Sequence, residues 1–448
     1  MSLRANSSER KILTAIAQTQ RKALPRRRWR IAWLLGIGVL VNYFDRVNLS
    51  VSHDALFAAF GISDVVFGYL SSAYNLTYAF LQLPIGVILD KLGVRKVGRI
   101  GTFLWSCATF GAAVTPTLSG LFGARFLLGV GEAPTFPANG KAIGMWFPQQ
   151  ERSFATSIFD AAAKFSSVIG VPIIGIVLLE AGWRWSFALT GLISLVYFGL
   201  FWKVYRDPED DPELSAEELR YIEGETGAED AAAQPEDRPF SLFELMGQRK
   251  VIGVVLGFGA YNYVFYLLLT WLPTYLSEAL HIDLLHSFLY TSVPWIIATV
   301  TDLGVGGWMV DFLVRRGMNA SRVRKFVLIA GTAFGLGIFG AAHTHSAVHA
   351  LAWISLSIGG LAAAAPILWS SPSLIATRSN VGKVGGIINF SGQVSGIAAP
   401  IITGYVVETQ HSYALAFIIP AVYLVIGIAG YLFLLGRIEV PAVAGIRD

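Results

Sequence analysis

The sequence predicts an all-α membrane protein: twelve transmembrane helices in two pseudo-symmetric six-helix bundles around a central cavity. Three observations predict it. First, 54% of the 448 residues are hydrophobic and only 14% are charged, whereas a soluble domain carries about a quarter charged residues. Second, charge is nearly absent from runs of about 20 residues, the length that crosses a hydrocarbon core, and collects in the stretches between them. Third, six such runs fall on either side of one long polar stretch, and motifs of the first half return in the second. The 46 glycines and 12 tryptophans suit bilayer helices, which tolerate glycine and place indoles at their interfaces.

Taken in order, a polar N-terminal segment, 1–30, ends in Pro25-Arg26-Arg27-Arg28-Trp29-Arg30 and runs directly into the first span, without the pattern of a cleavable signal. Apolar runs follow at 31–51, 65–88, 98–115, 119–142, 153–180 and 186–205. Residues 206–249, rich in Asp, Glu and Pro, cannot bury a core and read as a solvated linker with a short surface helix at Ser215–Ile222. The second set covers 250–277, 287–312, 324–342, 348–372, 383–407 and 412–436, leaving a tail at 437–448. The expected units are therefore an N-terminal bundle over 31–205 and a C-terminal bundle over 250–436.

Lys and Arg gather in the N-terminal segment, Lys91–Arg99, Arg152, the linker, Arg315–Lys325, Arg378–Lys383 and the tail, and nearly avoid the alternate loops. The positive-inside rule then places both termini in the cytoplasm of a multi-pass inner-membrane protein. All seven histidines fall in or beside the opposite loops. A pair such as His343 and His345 could suggest a metal or pH sensor, but outward loops that use His in place of Lys or Arg account for it. The single cysteine, Cys107, sits in an apolar run and reads as a packing residue. The net charge of +4 comes with no nucleic-acid motif.

The halves repeat with an offset of about 220 residues. Gly86-Val-Ile-Leu-Asp90 matches Gly307-Trp-Met-Val-Asp311, Gly170-Val-Pro172 echoes Gly396-Ile-Ala-Ala-Pro400, and Asn42-Tyr43 resembles Asn262-Tyr263. Two related bundles meeting at a midplane cavity is the plan of a carrier that works by alternating access. The chain resembles the major facilitator superfamily, and within it the anion:cation symporter branch of hexuronate, galactonate and glucarate permeases and sialin-like carriers. The resemblance rests on residues 42–48 (NYFDRVN), 86–96 (GVILDKLGVRK), 125–137 (RFLLGVGEAPTFP), 271–275 (WLPTY), 385–393 (GGIINFSGQ) and the linker runs 206–209 (RDPE) and 214–218 (LSAEE). It covers nearly the whole chain and implies a proton-coupled carrier of a small organic anion, a sugar acid such as a hexuronate, aldonate or aldarate. An aromatic or dicarboxylic acid, or an exporter or exchanger, remains open at this point.

Charges inside spans cost at least about 2.5–3.5 kcal/mol each, so they mark the site. Asp45 and Arg46 lie about 21 Å along the first span and point about 100° apart. Arg125 and Glu132, seven residues apart, share one stripe of the fourth. We expect Asp45 and Glu132 to carry protons, as the matching acid pair does in galactonate-type permeases, with Arg125 pairing to Asp45; static ion pairs that merely lock the bundle are the plainer alternative. Arg46 is the expected partner of the substrate carboxylate, because a guanidinium binds it through two parallel bonds. The resemblance adds Tyr43, Tyr78, Trp369, Ser370, Asn389 and Gln393 as polar or aromatic contacts, each of which also reads as helix packing. Asp160 and Lys164 in the fifth span and Asp302 in the eighth depart from the sugar-acid permeases. Lys164 is either a second substrate cation or a gating partner of Asp160 or Asp302. Asp90 is expected to cap a neighbouring helix and Arg95 and Lys96 to pair across the cytoplasmic face, with Asp311 and Arg315 as the second-half copy. No Walker loop, HExxH, GxSxG or metal-spaced Cys/His set is present, so neither an enzyme nor a cofactor or metal is expected. A membrane sensor would need a signalling domain that the linker is too short to supply. The carrier is expected to work as a monomer.

Overall fold

The computed structural model describes residues 26–222, 240–344, 346–377 and 380–439. The N-terminal segment to residue 25, linker residues 223–239, His345, Arg378, Ser379 and residues 440–448 of the tail lie outside them. The described chain is helical throughout, without strands. A bilayer imposes this, because buried backbone groups must be satisfied within each spanning segment.

The first span is Arg27–Val51 and is followed by a short helix, His53–Phe60. The second and third spans lie within Asp64–Val114 and are two helices separated at Gly93, whose φ of 76° and ψ of 163° are non-helical and suit glycine. The fourth is Leu118–Glu132 continued by Thr135–Trp146, broken at Ala133-Pro134; the fifth and sixth are Gln149–Ala181 and Trp183–Val204. The seventh, Arg249–Thr274, ends in a π-turn at Tyr275–Ala279. The eighth runs Leu284–Thr301, then a π-segment Asp302–Met309, then Val310–Arg315. The remaining spans are Ala320–Gly335 with Gly337–Ala341, then Ala347–Ile375, Val381–Gln410, and Ala414–Ala429 with Gly430–Leu434. By length and apolarity alone eight helices qualify as membrane spans. The first four segments of the first bundle fall short of that count because they carry buried charges or are broken and fused.

Starts are set by local chemistry. Ser63, Thr117, Asp283 and Asn319 each accept a backbone N–H from the following turn, the N-cap role for which these residues are suited. The first span lacks a cap of its own. Glu218, fully buried on the helical stretch 216–222, takes the N–H groups of Arg27 and Arg28 at 3.2 and 3.1 Å and also pairs with the Arg28 guanidinium. Arg27 pairs with Asp211 at 2.8 Å. The linker helix is thus a docked cap rather than a solvated surface element.

The bundles meet along the second span against the eleventh, the fifth against the eighth, and the first against the seventh. Two prolines shape these seams. Pro172 and Pro400 have no N–H, so the carbonyls four residues earlier, on Val168 and Gly396, lose their helical donor. Ser292 of the eighth span donates to Val168 O at 2.8 Å, and Asn75 of the second donates to Gly396 O at 2.9 Å. The two bonds are counterparts under the repeat. With Ser50 Oγ donating to Thr270 O at 2.6 Å and Ser72 Oγ to Ile397 O at 2.8 Å, they close the seam toward the face opposite the termini.

Candidate functional site

Apart from Arg27 and Arg28, which meet the linker at the start of the first span, seven charged side chains are buried inside the described spans: Asp45, Arg46, Arg125, Glu132, Asp160, Lys164 and Asp302. Six belong to the first bundle. The first-span pair diverges as the helical angle requires. Asp45 turns into its own bundle, where Ser194 donates to it at 3.4 Å. Arg46 turns to a small cavity of about 20 Å³ between the bundles, lined also by Ser50, Ser71, Tyr74, Asn75, Arg125, Tyr266 and Thr270.

The charge pairing differs from the expected Asp45–Arg125 bridge. Arg46 bonds Glu132 Oε2 through Nε at 3.3 Å and Nη2 at 3.2 Å, and donates to Asn42 at 3.0 Å and to the Tyr74 hydroxyl. Arg125 donates to the Asp45 backbone carbonyl at 3.2 Å, not to its carboxylate. Arg125 has no carboxylate within 4.0 Å among the described residues, and its Nε has no acceptor. Helical spacing gave each residue's depth, but the inter-helix angle decided which guanidinium reached Glu132.

Aromatic rings enclose the cations. The Arg46 guanidinium lies 4.2 Å from the Tyr43 ring, 4.6 Å from Tyr74 and 5.7 Å from Tyr78, and Arg125 lies 5.5 Å from Tyr74. Such contacts strengthen when desolvated. Tyr74 and Tyr266 were missed in the sequence. Tyr74 is one turn before Tyr78 on the same face, a spacing that could have found it; Tyr266 sits in a run of aromatics without a distinguishing neighbour.

The second-half candidates separate. Gln393 is buried beside Tyr266. Trp369 stacks on Phe136 of the first bundle at 5.9 Å and meets Phe258 edge-on at 5.2 Å. Asn389 donates to Gln82 across the seam at 2.9 Å, and Ser370 bonds only carbonyls of its own helix. Of the expected substrate contacts only Arg46 lines the cavity; Tyr43, Tyr78, Trp369, Ser370, Asn389 and Gln393 do not. Lys164 lies off its wall too, held by Asp302 at 2.5 Å across the seam and by Asp160 at 3.0 Å. Lys164 and Asp302 are almost entirely buried.

The loop candidates also pair differently from expectation. Asp90 bonds Lys141 at 2.7 Å within its own bundle rather than capping a neighbouring helix. Arg95 reaches linker Asp210 at 3.4 Å, and Arg315 donates to the Asp311 carbonyl of its own helix at 3.3 Å. Among the described residues, Lys96 has no ion pair, and none joins the two bundles on the face bearing the termini. Among the histidines, His53 is not a loop residue in solvent: it is 2% exposed, between the carboxylates of Asp54 and Asp64.

A two-bundle helical fold with a charged cavity at its seam defines the class, a membrane carrier. The profile of the Major Facilitator Superfamily matches residues 35–400, and the chain belongs to that family. It is 36% identical over 417 residues to the uncharacterized transporter YybO of Bacillus subtilis, covering 92% of this chain and 95% of the relative. It is 32% identical over 419 residues to a D-galactonate transporter of Escherichia coli, covering 92% and 97%, and 31% identical over 426 residues to the probable galactarate/D-glucarate transporter GarP of Escherichia coli, covering 92% and 95%. In fold it matches the crystal structure of a D-xylose-proton symporter with a TM-score of 0.69 at 16% identity, over 92% of this chain and 98% of the other. A bacterial homolog of the human lysosomal transporter Spinster, in an inward-facing conformation, gives the same score at 16% identity, over 91% and 97%. The protein is thus a multi-pass membrane transporter, not an enzyme.

Proposed function

We propose that this transporter takes up a sugar acid together with protons by alternating access, as a monomer in a bacterial inner membrane with both termini cytoplasmic. The named substrates of its relatives, galactonate, galactarate and glucarate, support the substrate class. The basic loops on the terminal face support the orientation. The domain plan follows: bundles over 31–205 and 250–436, joined by the 206–249 linker.

One observation carries the mechanism: Glu132 occupies Arg46 with two bonds to one carboxylate oxygen. Glu132 stands where a substrate carboxylate would stand. A proton on Glu132 removes its charge and releases the guanidinium, so substrate and proton bind together rather than in competition. Arg125, which has no carboxylate of its own, offers a second cation on the cavity wall. Asp45 is the second protonation site in this reading. Tyr43, Tyr78, Gln393 and Trp369 provide hydroxyl, amide and ring contacts. Ser370 and Asn389 are better placed to hold helices and seam.

Lys164 gates rather than binds substrate, because two carboxylates already claim it and it lies off the cavity wall. Its bond to Asp302 crosses the bundles and must lengthen when the fifth and eighth spans part. Asp90, Arg95 and Lys96, with Asp311 and Arg315, form cross-bundle contacts only after the terminal face closes.

The test is uptake of labelled D-galactonate and D-glucarate into proteoliposomes under an imposed pH gradient. Glu132→Gln is expected to abolish accumulation above equilibrium while substrate counterflow persists. Accumulation that survives the substitution removes Glu132 from coupling.

A further inference from the structure

The far face, outward in the proposed orientation, holds a second titratable centre that the Glu132 mechanism does not use. His53 opens the short helix between the first and second spans. Its Nδ1 lies 2.7 Å from Asp54 on the same helix, and its Nε2 lies 3.2 Å from Asp64 at the start of the second span. Glu278, on the π-turn that ends the seventh span in the other bundle, lies 4.0 Å from Nδ1. Tyr413, just before the twelfth span, donates to Glu278 at 3.0 Å. Aromatic rings cover the imidazole: Phe57 at 4.4 Å, Phe67 at 4.6 Å and Trp271 of the second bundle at 5.5 Å. Ser52, the residue before His53, donates to Asn48 of the first span at 3.2 Å. Among the described residues no lysine or arginine comes within 4.0 Å of these three carboxylates.

The donor arithmetic decides what this arrangement needs. Only an imidazolium donates from both ring nitrogens; a neutral imidazole donates from one and turns a lone pair toward the other carboxylate. With the proton, one positive charge is shared among three acids. Without it, Asp54 and Asp64 of the first bundle face Glu278 of the second with no cation between them; the side chains of Asp54 and Glu278 are 46% and 43% exposed, so water moderates the repulsion without removing it.

We propose that His53 is a proton-binding site of the far face, loaded from that side while the face is open, whose proton closes the face by joining Asp54 and Asp64 to Glu278. Closing buries the imidazolium under Trp271, so the proton leaves only after the face reopens. It returns to the side it came from and is not carried with the substrate. The site therefore sets how often the carrier opens outward as a function of external pH, separately from coupling at Glu132.

The test measures a distance rather than transport, and its outcome is independent of the accumulation assay for Glu132. Spin labels at Ala59 and Ser412, exposed positions on the two bundles at this face, are placed in a Cys107→Ser background, Cys107 being the only cysteine. Electron–electron distances are recorded without substrate, in lipid nanodiscs, between about pH 5 and pH 8, the range in which histidine titrates. The unmodified site is expected to give a short distance at acid pH and a growing long-distance population as pH rises. His53→Gln is expected to show the long population at both ends, and His53→Arg, which keeps a fixed charge, the short one at both. Glu278→Gln, which leaves His53 in place, is expected to raise the long population at acid pH. A titration in His53→Gln that matches the unmodified protein overturns the proposal. So does a His53→Arg protein that still opens at high pH.

Discussion

The two bundles descend from one repeat but have diverged in what they bury. Apart from Arg27 and Arg28 at its linker end, the first holds six of the seven charges buried inside the spans, and the second holds one, Asp302, neutralised from across the seam by Lys164. Where the first bundle places Arg46 and Arg125 at the cavity, with Glu132 buried behind Arg46, the second places Tyr266, Leu269 and Thr270, backed by the edge-on pair Phe265–Trp295 at 5.3 Å. A common backbone plan thus tolerates two kinds of interior. Charge can be confined to one side, which does the electrostatic work, while the other supplies rings and hydroxyls. Burying a charge without a partner is costly, and the first bundle pairs Arg46 with Glu132 and Lys164 with Asp160, while Arg125 and Asp45 are held by hydrogen bonds alone. The second has no such stock, so its single acid depends on the neighbour.

If this asymmetry governs transport, the largest loss should follow disturbance of the charged side. Arg46→Lys keeps the charge but loses the fork that bonds Glu132 and a substrate carboxylate. We expect uptake of D-galactonate to fall by about a hundredfold, corresponding to roughly 2–3 kcal/mol, with little change in Tm. Near-normal uptake would show that a point charge suffices there.

The dependent charge comes next. Lys164→Ala leaves Asp160 and Asp302 buried without a cation, and removal of one partner of a buried pair costs about 3–5 kcal/mol. A lowered Tm in detergent is therefore expected. The charge swap Lys164→Asp with Asp302→Lys tests the gate. Restored transport supports a link between bundles, whereas restored Tm without transport assigns Lys164 a further role in the cycle.

Smaller effects should mark the aromatic side. Trp369→Leu removes the stack on Phe136 and is expected to raise the apparent KM several-fold, about 1 kcal/mol, while the accumulation ratio is unchanged. A fall in that ratio would place coupling in both bundles and erase the contrast. The smallest change is expected for Asn75→Ala, which removes one seam bond worth about 1 kcal/mol. It should shift the far-face distance distribution toward the open state by roughly fivefold.

Sequence made the spans, the linker and the buried charges legible, since hydropathy and helical rise fix depth in the bilayer. It did not reveal rotation between helices. Arg46 and Arg125 are at similar standing in the sequence, yet only one reaches Glu132. His53 looked like one more outward loop histidine because its carboxylate partners come from three separate segments. Hydropathy separates the second and third spans, and Gly93 breaks the helix between them; the docked Glu218 cap was hidden in a stretch whose composition reads as solvated. The repeat, by contrast, was visible in Gly170-Val-Pro172 and Gly396-Ile-Ala-Ala-Pro400 before their partners were known.

Those two prolines have a consequence for the medium around the protein. In the closed arrangement the carbonyls of Val168 and Gly396 are served by Ser292 and Asn75. When the far face parts, no helical N–H can replace those donors, and an unserved carbonyl in a low-dielectric seam is costly. Water must then fill both notches, one on each side of the pseudo-twofold axis. The outward excursion is in this sense a hydration event, and its frequency should fall under osmotic stress from solutes too large to enter the opened seam.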